Sequence, residues 1–464
     1  MKAHAMNRRY LLLSFLLGAC SLAPDYQRPA METPAAYKET GDWQTAAQSF
    51  APPEQWWQVF GDPVLNDLQE QLVIDNQNIK LAEAQYRAAR AAVDSARAGF
   101  FPTLGVNAAA SRGARDGGSP ANLYTLSAQA GWEVDLWGKV RSGADSATAQ
   151  AEAAEAQVGA AQLSAQALLA QTYFQLRAAE AQAALYARNV AAYERFLQLT
   201  QNRRDTGVAS SLDVAQAETQ LNSARSQYSE AKLQRAQYEH ALATLLGKPP
   251  AALTLPAADR LAEVPPAPTL LPSTTLERRY DIYAAERQVA AANARIGVAR
   301  AAWFPVLNLS ASGGYSNNAI ANLISLPNRF WSIGPALAAT LFDGGARSAA
   351  IEQAYAGVDQ AAATYRQTVL TAFQEVEDNL AAARLLAEEA DSQNAALAAA
   401  RKAREIAENQ YRAGIIAALN VITAQTSELS AENATLSLWS RRMTAAVQLL
   451  KNTGGRPLAD EAAQ

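Results

Sequence analysis

Two kinds of hydrophobic pattern alternate along this chain. Long stretches with apolar residues at helical spacing and no internal proline run from Pro63 nearly to Phe100, and from Gly143 to Arg204. Between such stretches lie shorter segments in which apolar and polar residues alternate with a period of two. The pattern therefore predicts long helices with β-strands between them.

Four segments show the two-residue period, at residues 104–111, 124–137, 307–315 and 331–342. In the longest segment apolar residues occupy one face, and the other face carries Gln129, Glu133 and Asp135. We predict four strands paired as two hairpins, the first closed by a glycine-rich loop. Pro335 lies inside the fourth segment and cannot donate a ladder hydrogen bond, which predicts a bulge there.

The alternating segments have the length and the terminal aromatic residues of transmembrane β-strands. The same alternation would suit a soluble sheet packed on helices, so both interpretations stay open at this point. A sheet that spans a bilayer must close on itself, and the smallest such barrels have about eight strands. Because one chain supplies too few, a spanning sheet requires oligomerisation. Three chains would form a twelve-stranded barrel with Gln129, Glu133 and Asp135 lining its lumen.

The chain also repeats itself. The step Phe101-Pro102 into a strand returns as Phe304-Pro305, and the turn around Gly207 returns around Gly414. A repeat of roughly 200 residues is too long for a solenoid of short units and indicates a duplicated domain. We assign the first copy to residues 61–248, a proline-rich linker to 249–275, the second copy to 276–455 and a tail to 456–464.

The helical stretches are rich in alanine and carry a narrow apolar seam. Apolar residues recur at seven-residue steps in the last stretch and at the matching place of the first copy: Ile422, Leu429, Leu436, Met443 and Leu450, and Val214, Leu221 and Tyr228. A sustained seven-residue spacing predicts left-handed coiled coils. A helical bundle with a filled core is the alternative.

The N-terminus has the features of an export signal. A basic start precedes an apolar run that is too short to cross a bilayer, and the run ends at Cys20. Leu17 to Cys20 resembles the bacterial lipobox, which implies cleavage before Cys20 and its acylation; an ordinary signal peptide with an incidental cysteine is the alternative. Residues 1–19 would be the signal peptide and 20–60 an acylated, extended segment. By the same resemblance, Ser21 favours the outer membrane.

Composition narrows the classes of function. The 464 residues carry a net charge of −4 with both signs interspersed, so nucleic acid is not an expected partner. Cys20 is the only cysteine and the two histidines, His4 and His240, are isolated, which leaves little for zinc sites, disulfides or histidine-based triads. We therefore expect no enzymatic activity, no metal and no cofactor. Glu133 and Asp135 are as typical of a pore lining as of a catalytic pair.

Several motifs occur in order over essentially the whole mature chain. They are the lipobox, the Trp56 to Pro63 entry to the first helix, the Phe-Pro steps, Asp135-Leu136-Trp137-Gly138, Leu341 to Gly345, and the turns at Gly207 and Gly414. Together they resemble the outer-membrane factor (TolC-like) family. More narrowly, they resemble NodT-type lipoproteins that serve resistance-nodulation-division (RND) efflux pumps.

The resemblance implies an α+β membrane protein with a long coiled α-helical barrel and four β-strands per chain in a trimeric twelve-stranded transmembrane barrel. It implies a lipid-anchored homotrimer in the outer membrane that extends into the periplasm and passively conducts drugs or other small toxic compounds. The implied partners are a periplasmic adaptor and an inner-membrane RND transporter. An outlet for type I polypeptide secretion shares this architecture, and a periplasmic coiled-coil adaptor or structural lipoprotein is an alternative of another class.

The resemblance also assigns residues to the periplasmic tips. Gly207 and Gly414 would permit the chain reversal between two coiled helices. In relatives, polar side chains beside the second turn hold the pore shut, and Tyr411 and Arg412 stand at the matching places. We expect these two side chains to bridge neighbouring helices in the closed state, the alternative being a solvated helix end.

One position departs from the family pattern. Where many relatives carry an aspartate nine residues after the second glycine, this chain has Thr423. An acidic ring at that level is therefore in doubt. Asp213, six residues after Gly207, is the nearest alternative carboxylate.

Overall fold

The computed structural model describes residues 22–32, 34, 36–39, 55–114, 119–258, 260–266, 276 and 278–455. The predicted signal peptide, Cys20 and the tail from residue 456 lie outside these ranges. In chain order the helices and strands are α1 (Pro63–Asp75), α2 (Gln77–Ala98), β1 (Thr103–Gly113), β2 (Ala121–Val134), α3 (Lys139–Asp205), α4 (Ser211–Leu245), α5 (Tyr280–Ala301), β3 (Val306–Asn317), β4 (Arg329–Ala338), α6 (Ala346–Arg412) and α7 (Ala418–Thr453).

The long uninterrupted helices are confirmed. Helices α3 and α6 each have 67 residues, and an α-helix of that length extends about 100 Å. Helix α3 begins four residues before the predicted Gly143 because the carboxylate of Asp135 accepts hydrogen bonds from the amides of Val140 and Arg141 at 3.0 and 2.9 Å. Such bonds satisfy amides that have no partner within a first helical turn.

The first predicted helix is divided at Asn76. Its side-chain oxygen accepts from the amides of Asn78 and Ile79 at 2.9 and 3.1 Å and so caps α2. The side-chain nitrogen donates to the carbonyl of Leu245 at the end of α4, at 2.7 Å. Hydrophobic periodicity continues across Asn76, so this division was not visible in the sequence pattern.

The entry motif before α1 forms a 3-10 turn, Trp56–Phe60, whose aromatic side chains are buried. They join one core with Tyr173 and Phe174 of α3, and the rings of Phe60 and Phe174 lie 4.8 Å apart. Asp62 then caps α1 by accepting from the amides of Val64 and Leu65. The motif therefore fixes where α1 begins and which face it buries.

The four strands form a single antiparallel sheet in the order β1-β2-β3-β4, so the two predicted hairpins are confirmed. The predicted bulge at Pro335 is wrong. Leu309 pairs with Pro335 and Leu307 with Leu337 without an extra residue. Within the described sheet β4 pairs with β3 alone, and an edge strand tolerates a proline whose missing N–H points to the free edge.

The described residues fall into two compact units, and each unit combines segments of both sequence copies. Unit 1 comprises residues 1–31, 83–157 and 281–368, and unit 2 comprises 32–82, 158–280 and 369–464, in each case as far as they are described. The sheet lies in unit 1. Among the described residues, no helix is both long and apolar enough to cross a membrane.

In unit 1 the helices keep the order of the strands they join. A Cβ at Gly99, just after α2, would lie 3.0 Å from Val140 of α3. Arg287 of α5 pairs with Glu152 of α3 at 3.2 Å, and the Arg300 side chain of α5 bonds to Tyr355 of α6. The helices α2, α3, α5 and α6 are therefore neighbours in the same order as the strands β1, β2, β3 and β4, to which they connect.

In unit 2 the predicted heptad seam faces inward. Met443 and Leu450 of α7 and Val214 and Leu221 of α4 are buried, and the remaining heptad positions are buried or half-buried. Ion pairs flank this seam, for example Arg401 with Glu432 at 2.7 Å. A narrow apolar seam with charged edges is the arrangement expected of a coiled coil.

Candidate pore and tip sites

The two faces of the sheet differ in chemistry and in exposure. Cross-strand pairing places Val106 opposite Ala128 and Ala311 opposite Ile333 on one face. Large apolar side chains of this face are freely accessible: Leu104 is 78 % and Ile333 75 % exposed. A contiguous apolar surface of this kind marks contact with a membrane or a partner.

The opposite face is mainly polar. Gln129 lies opposite Gly105 on β1 and Ser312 on β3, and the hydroxyls of Ser312 and Ser332 are 3.2 Å apart. Ser127 on this face is only 4 % exposed, whereas Gln129 is exposed. Gln129 stays a predicted pore-lining residue on the polar face.

The two predicted acidic pore residues are engaged within their own chain. The carboxylate of Glu133 pairs with the ammonium of Lys139 at 3.0 Å. Asp135 follows the last residue of β2 and binds the first amides of α3, as described above. In the second copy Asp343 plays the same part before α6, accepting from the amide of Gly345 at 3.0 Å. A lumen position for Glu133 and Asp135 stays a prediction. The charge of Glu133 is compensated by Lys139, whereas Asp135 caps α3 through neutral amides.

The two predicted tips have the same backbone. Gly207 and Gly414 adopt left-handed conformations with φ of 76° and 78°. In the first turn the amide of Val208 bonds to the carbonyl of Arg203 at 2.8 Å, and in the second the amide of Ile415 bonds to Gln410 at 2.9 Å. This is the Schellman pattern that ends a helix, and glycine adopts it without the steric cost of a Cβ.

The helices that follow the two turns start differently. The hydroxyl of Ser210 accepts from the amide of Asp213 at 3.1 Å, and the Asp213 carboxylate accepts from the Ser210 amide at 2.9 Å. At the second turn Ala417 occupies the N-cap and offers no side-chain bond. Loss of such a cap costs about 0.5–2 kcal/mol, so the second tip is held less firmly. Asp213 acts here as a capping residue.

Tyr411 and Arg412 occupy different environments. Tyr411 is 6 % exposed and packs on Phe196 of α3, with ring centroids 5.6 Å apart. Arg412 is exposed, and its guanidinium lies 3.9 Å from Glu408 on its own helix. Within the described chain, Tyr411 therefore bridges to a neighbouring helix, whereas Arg412 contacts α6 itself.

Arg203 joins the two tips and was not singled out from the sequence. Its guanidinium lies over the Tyr411 ring, 4.5 Å from the centroid, and donates to the Tyr411 carbonyl at 2.9 Å. Its own carbonyl accepts the amide of Val208 in the first turn. A basic residue in the last turn of α3 was the available signal, because cations favour helix C-termini.

A charged cluster lies behind the second tip. Arg404 pairs with Glu428 and, at 3.1 Å, with Glu408. Burial raises the pKa of Glu428; Arg404 opposes this rise and the neighbouring Glu432 adds to it. Thr423, nine residues after Gly414, donates to the carbonyl of Leu419 on its own helix at 2.9 Å. Over the described ranges no three His, Cys, Asp or Glu residues come together as metal ligands.

Comparisons with known proteins identify the family. The profile of the outer membrane efflux protein family matches residues 68–248 and 271–455. The chain is 34 % identical over 461 residues to the probable efflux pump outer membrane protein TtgC of Pseudomonas putida strain KT2440, covering 95 % of this chain and 94 % of that protein. It is 33 % identical over 472 residues to outer membrane protein OprJ of Pseudomonas aeruginosa, covering 98 % and 97 %.

A solved structure agrees with this result. The outer-membrane channel OprN superimposes with a TM-score of 0.87 at 32 % identity, covering 94 % of this chain and 99 % of that one. The predicted combination of long helices and four antiparallel strands is therefore confirmed as a TolC-like fold. The chain belongs to the outer membrane efflux protein family, whose members are non-enzymatic channels of the outer membrane.

Proposed function

We propose that three copies of this chain form one conduit through the outer membrane, with the free edge of β1 in each copy pairing with the free edge of β4 in the next. The observation that carries the proposal is the sheet, which has an exposed apolar face and, among the described residues, two edges without a partner strand. In lipid such edges leave backbone groups without partners, which only closure can supply. Three sheets make a twelve-stranded barrel, at the cost of one ladder bond at each Pro335.

The conduit exports small toxic compounds passively, together with a periplasmic adaptor and an inner-membrane RND transporter. Similarity over nearly the full length to efflux pump proteins supports this function. Deleting the gene should increase susceptibility to antibiotics and organic solvents, and the purified protein should sediment in detergent as a trimer. A stable monomer would contradict the conduit. Loss of a secreted polypeptide without a change in susceptibility would instead favour the secretion outlet.

The proposed lipid on Cys20 fits the course of the N-terminal strap, defined here as residues 22–31. The carbonyl of Leu22 accepts from Arg300 near the end of α5 at 3.1 Å, and that of Pro24 accepts from Asn293 at 2.8 Å. At Gly297 a Cβ would lie 2.8 Å from the Ala23 side chain, so glycine lets the strap approach. Because β3 begins at Val306, the strap brings the chain next to the membrane sheet two residues after Cys20.

A buried ionic group holds the same strap. The hydroxyl of Tyr26 donates to Glu286, which also accepts from Arg287 at 2.6 Å. Burial opposes ionisation of Glu286, but the hydrogen bonds from Arg287 and Tyr26 outweigh it and lower its pKa. A carboxylate whose pKa is lowered by folding stabilises the folded state at pH values above its unfolded-state pKa. This stabilisation is lost as the pH falls through the folded-state pKa. The strap therefore stays attached at neutral pH.

We predict that Cys20→Ala abolishes acylation. The cysteine sulfur is the acceptor of the lipid, and an alanine offers none. Metabolic labelling with a clickable fatty acid, followed by mass spectrometry of the N-terminus, should give labelled wild type and unlabelled variant. Ser21→Ala is the matched control and should remain labelled. Equal labelling of the Cys20→Ala protein would refute the anchor.

The proposed gate lies at the second tip, where Tyr411 restrains α6 against α3 and the exposed Arg412 is available to a neighbouring copy of the chain. We predict that replacing both by alanine raises single-channel conductance in planar bilayers, because α6 loses its ring contact with Phe196 and Arg203. Arg203→Ala should raise conductance as well, since it removes the donor to the Tyr411 carbonyl. A gain of tens of per cent or more is expected from loss of about 1–2 kcal/mol of tip contacts.

Tyr411→Phe is the control for this gate. The Tyr411 hydroxyl is buried without a hydrogen-bond partner among the described residues, so phenylalanine keeps the ring contacts and should keep the low conductance. Unchanged conductance in both the double variant and Arg203→Ala would reject the gate. If the single substitution Tyr411→Phe raises the conductance, the bond that closes the gate is made by the Tyr411 hydroxyl to another copy of the chain.

A further inference from the structure

A groove of about 770 Å³ runs between α3, α5 and α6 in unit 1. Its lining consists of small and uncharged polar side chains with one exception, Arg295. Ser146 of α3, Gln288, Arg295 and Ala299 of α5, and Gly357 and Thr364 of α6 belong to this lining. The known function as a channel component does not assign a role to this surface.

Helix α5 separates the groove from the strap. Gln288, Arg295 and Ala299 face the groove, whereas Asn293 and Gly297 contact the strap. At about 100° per residue these two sets lie on opposite sides of the helix. The helical layer is therefore one helix thick at α5, with the N-terminal segment covering one side and the groove open on the other.

Arg295 is exposed, and no hydrogen bond or ion pair to it occurs among the described residues. Of the two acidic residues expected along the conduit, Glu133 pairs with Lys139, and Asp135 lies at the start of α3, where it accepts hydrogen bonds from backbone amides. The open side of the layer thus carries an uncompensated positive charge. The field of an arginine without a local partner is not cancelled by a neighbouring carboxylate, and it acts on passing ions within about a Debye length, roughly 10 Å at 0.1 M salt.

We propose that Arg295 faces the lumen and gives the conduit a preference for anions. The inference rests on the proposed trimer, in which three copies of Arg295 lie at one level of the channel. A ring of arginine or lysine side chains favours anions, as rings of carboxylates favour cations. Arg295 is thereby a specificity-determining residue of the channel wall for negatively charged cargo.

The test is the reversal potential of single trimers in planar bilayers under a potassium chloride gradient. Salt should be near 0.1 M or lower, where the Debye length is about 10 Å or more. Arg295→Gln is expected to lower the chloride-to-potassium permeability ratio by about twofold, and Arg295→Glu to lower it further. The matched control is Arg366→Gln on α6. Arg366 is exposed and lies two residues, about 200°, beyond the groove residue Thr364.

The outcomes separate this inference from the proposed function. The inference is supported if channels conduct in every variant and the chloride-to-potassium permeability ratio falls in both Arg295 variants but is unchanged in Arg366→Gln. Conducting channels whose ratio is the same in all variants overturn it and leave the conduit intact. An equal shift in Arg366→Gln also overturns it, because the effect would then be general surface charge. Absence of channels in the wild type would overturn the proposed function itself.

Discussion

Replacing Ile333 by arginine is expected to abolish assembly of the protein in the outer membrane. Ile333 lies at the centre of β4, on the apolar face, and is 75 % exposed. An arginine on the lipid face of a transmembrane barrel costs about 2–4 kcal/mol near the bilayer midplane. In a trimer the cost is incurred three times, so we expect less than a tenth of the wild-type amount of heat-dissociable trimer on semi-native gels of outer-membrane fractions.

The adjacent residue supplies the control. Ser332 belongs to the same strand but to the polar face, where its hydroxyl is 3.2 Å from that of Ser312. Ser332→Arg would place its charge in the lumen and should assemble at near wild-type levels. Normal trimer levels in Ile333→Arg, or equal loss in both variants, would show that the apolar face does not meet lipid.

Asp62→Ala should strongly destabilise the part of the fold that lies outside the sheet. The Asp62 carboxylate caps α1 through the amides of Val64 and Leu65 and accepts from the hydroxyl of Tyr173 at 2.5 Å. Tyr173 is buried, so alanine removes a cap worth about 0.5–2 kcal/mol and deprives a buried hydroxyl of its acceptor at about 1–3 kcal/mol. The expected loss of about 2–4 kcal/mol should appear in denaturant unfolding of the detergent-solubilised protein, followed by circular dichroism at 222 nm.

Two variants separate the cap from the tyrosine bond. Asp62→Asn keeps an oxygen for both roles and should lose less than Asp62→Ala. In the Tyr173→Phe background, Asp62→Ala should cost only the cap, because no hydroxyl is left behind. If Asp62→Ala costs the same with Tyr173 or Phe at that position, the two side chains are not coupled and the contact between α1 and α3 does not depend on this bond.

The sequence pattern predicted the strands well because each face of the sheet meets a different environment. The period of two held from Leu104 to Ala110 and from Tyr124 to Trp132, and the register keeps the large apolar residues of both segments on one side. It did not predict the straight register at Pro335, since whether a proline lies on an edge strand depends on pairing between distant segments. The break at Asn76 was missed for a related reason, because its partner Leu245 is far away in sequence.

At the tips, glycine positions were predictable and side-chain roles were not. Gly207 and Gly414 stand out because a left-handed residue between two helices favours glycine in any context. The capping role of Asp213 follows from a local Ser-x-x-Asp spacing that we did not recognise. Arg203 could not have been paired with Tyr411, because the two meet only where α3 and α6 come together.

By itself the sequence determined the helices and strands, their duplication and the two-sided chemistry of the sheet. It also showed that the chain has too few cysteine and histidine residues for a zinc site, a disulfide or a histidine-based triad. These properties depend on residue type and local spacing. Only the tertiary structure decided which side chains meet across different helices. Arg203 of α3 lies over the ring of Tyr411 of α6, and Arg287 of α5 pairs with Glu152 of α3, whereas Arg295 has no hydrogen bond or ion pair among the described residues. These contacts join residues that are far apart in sequence, so local spacing could predict neither the pairs nor the charge that is left without a partner.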